Sequence, residues 1–122
     1  MRWVVDPLDG SLNYLKGIPF CSVSIALWHG HEPVLGAVYD FNHAEMFTGI
    51  SDGGAWLNGR AIRVSATATK RQAVLCTGFP VSTDFSPDAV SAYVAQVREY
   101  KKVRLLGSAA LSLSYVAAAR AD

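Results

Sequence analysis

Charge is what this sequence has least of. Only 17% of its 122 residues are Asp, Glu, Lys or Arg, where about 25% is usual. Eleven basic and ten acidic residues leave a formal net charge of +1 and form no long run. That excludes a broad basic face for nucleic acid and a polybasic patch for a membrane surface. Cysteine is nearly missing: Cys21 and Cys76 are too few for a disulfide framework or a zinc site. Both are expected as buried small apolar residues in a reducing cytoplasm. Long hydrophobic runs are missing as well. The stretch from Gly17 to Trp28 contains Pro19, Ser22 and Ser24 and is too short and too polar to span a bilayer. At the start, Met1 to Val5 meets Asp6 at once, so no signal peptide is expected.

Apolar residues, by contrast, make up 51% of the chain, the reverse of the composition that marks disorder. A small domain has a high surface-to-volume ratio and needs more polar surface, not less. The imbalance predicts either a large interface, such as that of a homodimer, or a part of something bigger. No repeat, linker or low-complexity tract divides the sequence, so residues 1–122 are read as one unit.

The pattern along the chain predicts its elements. Trp3-Val4-Val5 reads as the end of a buried strand that delivers Asp6 into a loop, and Gly10-Ser11 opens a short helix ending near Gly17. Phe20 to Trp28 alternates, with Cys21, Val23, Ile25 and Leu27 expected on the better-buried face. His29 to Pro33 reads as a turn, and Val34–Phe41 and Glu45–Ile50 as strands joined through Asn42-His43. Ala55-Trp56-Leu57, the hairpin signal Asn58-Gly59, and Ala61 to Val64 follow. Ala73 to Thr77 reads as a strand, Ser86-Pro87-Asp88 as a capped helix start, and Lys102 to Leu106 as another strand. The helix after Ser86 is expected to bury Ala89, Val90, Tyr93, Val94, Val97 and Tyr100. The last helix, Ala109 to Ala119, is apolar nearly all round and belongs in an interior. A run of mostly antiparallel strands followed by strand, helix, strand, helix makes an α/β layered sandwich.

The chemistry concentrates in Asp6-Pro7-Leu8-Asp9-Gly10-Ser11. Two carboxylates three residues apart on a Pro-stiffened turn can converge, and hard cations such as magnesium take oxygen ligands. The Leu8 carbonyl lies between them. Gly10 permits close backbone approach, and Ser11 begins a helix whose free N–H groups favour a phosphate. Cation and anion sites within one turn are what metal-assisted phosphoryl transfer requires. An Asp-rich surface turn is the plainer alternative. His29, His31 and His43 read as turn residues rather than ligands. Lys70, Arg71, Arg98, Lys101, Lys102 and Arg104 read as solvated charge, and Trp3, Trp28 and Trp56 as core or interface.

The stretch from Trp3 to Tyr14, with Gly17-Ile18-Pro19-Phe20 and Val23-Ser24-Ile25, resembles the first signature motif of the inositol monophosphatase family. Further similarity runs through Gly36 to Asp40, Gly53 to Gly59, Thr77 to Pro80 and Gly107 to Leu111. The resemblance implies the αβαβα sandwich of that family and magnesium-dependent hydrolysis of a small phosphate monoester by an activated water. Asp6, Asp9 and Ser11 would be catalytic, with Asp6, Asp9 and the Leu8 carbonyl as metal ligands. Gly10 and Ser11 would hold the phosphate, and Gly107, Ser108 and Ala109 would line the alcohol pocket. The family's upstream acidic motif and downstream Trp-Asp signature are both missing, Ser112 stands where many bacterial relatives have Asp, and Ala119 where Gly is usual. The chain is therefore expected to be the central portion of a domain of roughly twice its length, with little activity alone, or a degenerate member acting through another chain. A haloacid-dehalogenase phosphatase is the competing enzyme class, but it needs Asp-x-Asp where this chain has Asp-x-x-Asp.

Overall fold

Six strands pair in the order in which the chain makes them. In the computed structural model, which describes residues 1–80 and 82–122, these are β1 (Arg2–Asp9), β2 (Ser22–His29), β3 (Glu32–Asp40), β4 (Glu45–Ile50), β5 (Gly54–Leu57) and β6 (Arg60–Ile62). They form one antiparallel meander. A one-turn helix, α1 (Ser11–Leu15), lies between β1 and β2. A second sheet pairs β7 (Val74–Thr77) with β8 (Lys102–Leu105) in parallel, and α2 (Pro87–Val97) makes the crossover between them. The last helix, α3 (Ala109–Ala117), packs against β2, β3 and β7 and so joins the two sheets.

Local chemistry explains the boundaries. Asn58 and Gly59 take φ of 48° and 78°, as a two-residue hairpin turn requires. The Asn58 carboxamide accepts from the Met46 N–H at 2.8 Å and donates to the Ala44 carbonyl at 3.2 Å. Ser86 accepts from the Ala89 N–H at the start of α2, with Pro87 and Asp88 in the first turn. At the end of α3, the Arg120 N–H donates to the Tyr115 carbonyl at 2.8 Å and the Ala119 N–H to Val116 at 3.1 Å. This is a Schellman closure, and it places Ala119 at φ 58°, a left-handed conformation that costs an L side chain about 1–2 kcal/mol. Ala119→Gly is therefore expected to raise the unfolding free energy by about 1 kcal/mol, read as a higher urea midpoint at unchanged slope.

Arg120 then spans layers. Its guanidinium lies 5.0 Å from the Tyr115 ring centre and 5.8 Å from that of Phe47, and it donates to both Glu45 carboxylate oxygens at 2.6 Å. Those hydrogen bonds hold the Glu45 carboxyl below its usual range and push Arg120 up. Asp122 ties the chain's last residues to the start of β7. Its carboxylate accepts from the Ser65 hydroxyl and the Val74 N–H, which lowers its pKa.

The core is thin. Among the described residues the buried apolar ones are Cys21, Phe47, Ala73, Leu111 and Ala121. The accessible surface is 8496 Å², where a compact monomer of 13.1 kDa exposes about 6,400 Å². This is the physical form of the low charge and high apolar content of the sequence.

Several expectations are corrected by the fold. Trp3, Val4 and Val5 are 56%, 45% and 54% exposed, because β1 is the edge strand of the meander and α3 covers the central strands. Asp6 lies within β1, paired with Ser24, and not in a loop. On β2 the expected inner residues Val23 and Ile25 are exposed, while Ser22, on the alternate face, is fully buried. The turn before β3 shrinks to Gly30-His31, with a register slip that sets Pro33 opposite Trp28. β6 begins at Arg60 and ends at Ile62. No residue of α2 is buried, and Val90 and Val94 face solvent; a space of about 340 Å³ lies between Leu75 and Thr77 of β7 and Tyr93 and Val97 of α2. On α3, Leu111 and Ser114 are buried but Leu113 is 72% exposed, so an apolar helix is not an interior one here. Cys21 is buried as expected, whereas Cys76 is half-buried, with its thiol pushed up by desolvation.

Candidate active site

The end of β1 carries both carboxylates. The strand's pairing with β2 slips between Asp6 and Asp9, which lets Pro7 and Leu8 loop out of the ladder. Asp6 is exposed, and its Oδ1 accepts from the Leu8 N–H at 3.1 Å. Leu8, Asp9 and Gly10 are half-buried, and Ser11 is exposed at the first turn of α1. Among the described residues no side chain caps that turn, and it holds no acidic residue, so its leading N–H groups keep their capacity for an anion. Gly10 has φ 82°, and a Cβ on it would lie 2.9 Å from the Phe20 carbonyl oxygen. Only glycine fits where this loop passes the chain entering β2.

The segment before α3, 99 residues from Asp9 in sequence, closes on the same point. The Ser108 hydroxyl donates to Asp9 Oδ2, and the Ala110 N–H donates to that oxygen at 2.9 Å. Asn13, in α1, donates through Nδ2 to the Phe20 carbonyl at 2.8 Å and to the Leu106 carbonyl at 2.7 Å. A Cβ on Gly107 would lie 2.9 Å from that amide nitrogen, so the glycine leaves room for the Asn13 side chain. The structure thus brings together Asp6, Leu8, Asp9, Gly10 and Ser11 through the chain itself, and Gly107, Ser108 and Ala109 through Asn13 and Asp9. Gly107 and Ala109 are exposed, while Ser108 is only 3% exposed.

Several supporting residues escaped the sequence reading. Asn13 stood within the motif without a role. Asp40 is fully buried at the end of β3, accepting from the Asn42 N–H at 3.0 Å and the His43 N–H at 3.2 Å, with His43 Nδ1 at 2.8 Å. Asn42 in turn donates to the Cys21 carbonyl at 3.4 Å, steadying the chain beside Gly10. An Asp two residues before an Asn in a hairpin turn was the available signal. Ser22, opposite Asp9 in the ladder, is buried with a hydroxyl that has no partner among the described residues.

Asp6 Oδ2 and Asp9 Oδ1 accept no hydrogen bond from the described residues. Carboxylate and carbonyl oxygens are the hard donors that a cation such as magnesium takes. Among the described residues, no three His, Cys, Asp or Glu side chains converge as a metal cluster. A groove of about 660 Å³ between the large sheet and α3 borders Asp6, but its other lining, including Val4, Ala26, Val38, Leu113 and Ala117, suits apolar packing.

The chain matches a family model described as the inositol monophosphatase family over residues 1–122. It is 40% identical over 123 residues to "Nus factor SuhB" of Pasteurella multocida, covering 100% of this chain and 46% of that protein. It is also 40% identical over 125 residues to "Inositol-1-monophosphatase" of Rhizobium meliloti, covering 99% and 46%. Among solved structures, an inositol monophosphatase from Anabaena (Nostoc) superposes with a TM-score of 0.90 at 40% identity, over 98% of this chain and 49% of that one. The chain spans about half the length of these relatives.

Proposed function

This chain belongs to the inositol monophosphatase family, and from that premise we propose that it carries the metal-binding and phosphate-binding half of a magnesium-dependent hydrolase of small phosphate monoesters. The observation that carries the reading is the pair of free carboxylate oxygens, on Asp6 and Asp9, beside the uncapped first turn of α1. Asp6, Asp9 and the Leu8 carbonyl would hold the cation. Magnesium, when bound, neutralises phosphate charge and acidifies a water. The N–H groups at Gly10 and Ser11 bind the phosphate oxygens, and the Ser11 hydroxyl orients the attacking water. The water oxygen forms a bond to phosphorus as the ester P–O bond breaks, the water loses a proton, and the leaving alkoxide takes one up. Backbone at Gly107 and Ala109 borders the alcohol.

Three protein oxygens leave the rest of a six-oxygen shell to water and phosphate, and the chain spans about half the length of its relatives. That favours a second reading for the chain by itself: it needs further ligands, from a longer chain or a partner, before it turns over. The same proposal has the protein cytoplasmic, homodimeric and indifferent to nucleic acid and membranes; among the described residues no helix is long and apolar enough to cross a bilayer. Titration of the 122-residue chain with Mn²⁺, with free metal followed by electron paramagnetic resonance, is expected to show saturable binding. Phosphate release from an inositol monophosphate is expected to be near background. A chain that takes up no Mn²⁺ contradicts the metal site, and brisk hydrolysis contradicts the need for further ligands.

A further inference from the structure

The geometry points to Ser108 as a positioning residue for Asp9, one that fixes which carboxylate oxygen is offered to a cation. It rests on the metal-site reading above and reassigns Ser108 from the alcohol pocket. A hydroxyl has one proton to give. Ser108 Oγ accepts from the Leu111 N–H at 3.3 Å, so its proton goes to Asp9 Oδ2, and none remains for a substrate. Ser108 as a residue is only 3% exposed, which keeps it from a substrate's reach. The Ala110 N–H gives a second bond to the same oxygen. Two donors on Oδ2 lock the side-chain torsion and leave Oδ1 as the free oxygen. The donors are themselves held in place, because Asn13 grips the Leu106 carbonyl and fills the space beside Gly107. Such supporting hydrogen bonds orient metal ligands and are worth about 10–100-fold in metal affinity.

Ser108 also caps α3, and the experiment must separate the two roles. Threonine keeps both the cap and the donor, glycine keeps most of the cap without the donor, and alanine loses both. Mn²⁺ affinity is expected to fall about 10–100-fold in Ser108→Gly and Ser108→Ala alike and to stay near wild type in Ser108→Thr. The melting temperature should instead fall more in Ser108→Ala than in Ser108→Gly. A metal-free readout comes from the Ala110 amide. As the second residue of α3 it has no acceptor within the helix, so its hydrogen-exchange protection reports on Asp9. That amide is expected to exchange about tenfold faster in Ser108→Gly, with the Ser112 amide, bonded to the Ser108 carbonyl, unchanged. Wild-type Mn²⁺ affinity and Ala110 protection in Ser108→Gly would overturn the assignment and leave Ser108 as a cap alone. If wild type takes up no Mn²⁺, the metal-site reading falls by itself. Ala110 exchange then decides the positioning role, fast exchange supporting it and slow exchange overturning it.

Discussion

Asp9→Asn is expected to abolish magnesium-dependent turnover, in any form of the protein that hydrolyses phosphate esters, while the fold survives. An asparagine that keeps its carbonyl oxygen in the place of Oδ2 still accepts from Ser108 and Ala110. Its NH₂ group then stands where Oδ1 was. A negatively charged oxygen facing the cation becomes a hydrogen-bond donor, so both charge and ligation are lost at one point. The rate at saturating magnesium should fall more than about a thousandfold, beyond the roughly 10²–10³ attached to a single oxyanion donor. Asp9→Ala differs instructively. It leaves two donors at the start of α3 without an acceptor and should in addition destabilise the fold by about 1–3 kcal/mol. Phosphate release and thermal unfolding, measured on both variants, separate ligation from packing. Activity within tenfold of wild type in Asp9→Asn would remove Asp9 from the metal shell.

That both consequences meet in one carboxylate could not be read from the sequence. Asp6-Pro7-Leu8-Asp9-Gly10-Ser11 is a local signal, and so are Asn58-Gly59 and Ser86-Pro87-Asp88, since each acts through groups a few residues apart. The hairpin turn and the α2 cap form as the sequence indicates, whereas Asp6 falls within β1 and not in the expected loop. Ser108, Asn13 and Ala110 act across about a hundred residues, and no periodicity encodes which serine will face which aspartate. Burial fails for a related reason. Alternation in Cys21 to Leu27 says that two faces differ, but which one is covered depends on where α3 docks, and it docks over the side that holds Ser22. Val23, Ile25, Trp3 and Val5 are left on the open side. The low charge of the sequence signalled that exposed apolar area without locating it. Ala119 sits between the two cases. Its departure from the usual glycine was visible in the sequence, and its cost became physical only with the φ of 58°.

Leu111→Ala is expected to cost about 2–5 kcal/mol, the range for deleting a buried leucine. Leu111 is fully buried, the largest side chain among the described residues to be so. It stands one turn into the helix that bridges the two sheets, beside the Ser108 cap whose oxygen its own N–H contacts. Among the described residues five apolar ones are buried, four of them on different elements or loops from Leu111, so little else can collapse into the space. Domains of ordinary stability unfold at 5–15 kcal/mol, so the loss is a large fraction of what this chain has. Leu113, two positions on and 72% exposed, supplies the control: Leu113→Ala should change stability by less than about 0.5 kcal/mol. Urea unfolding at constant slope reads both. Equal losses at the two positions would mean that α3 does not anchor the fold through the Leu111 face, and that Asp9 is held by a helix seated differently.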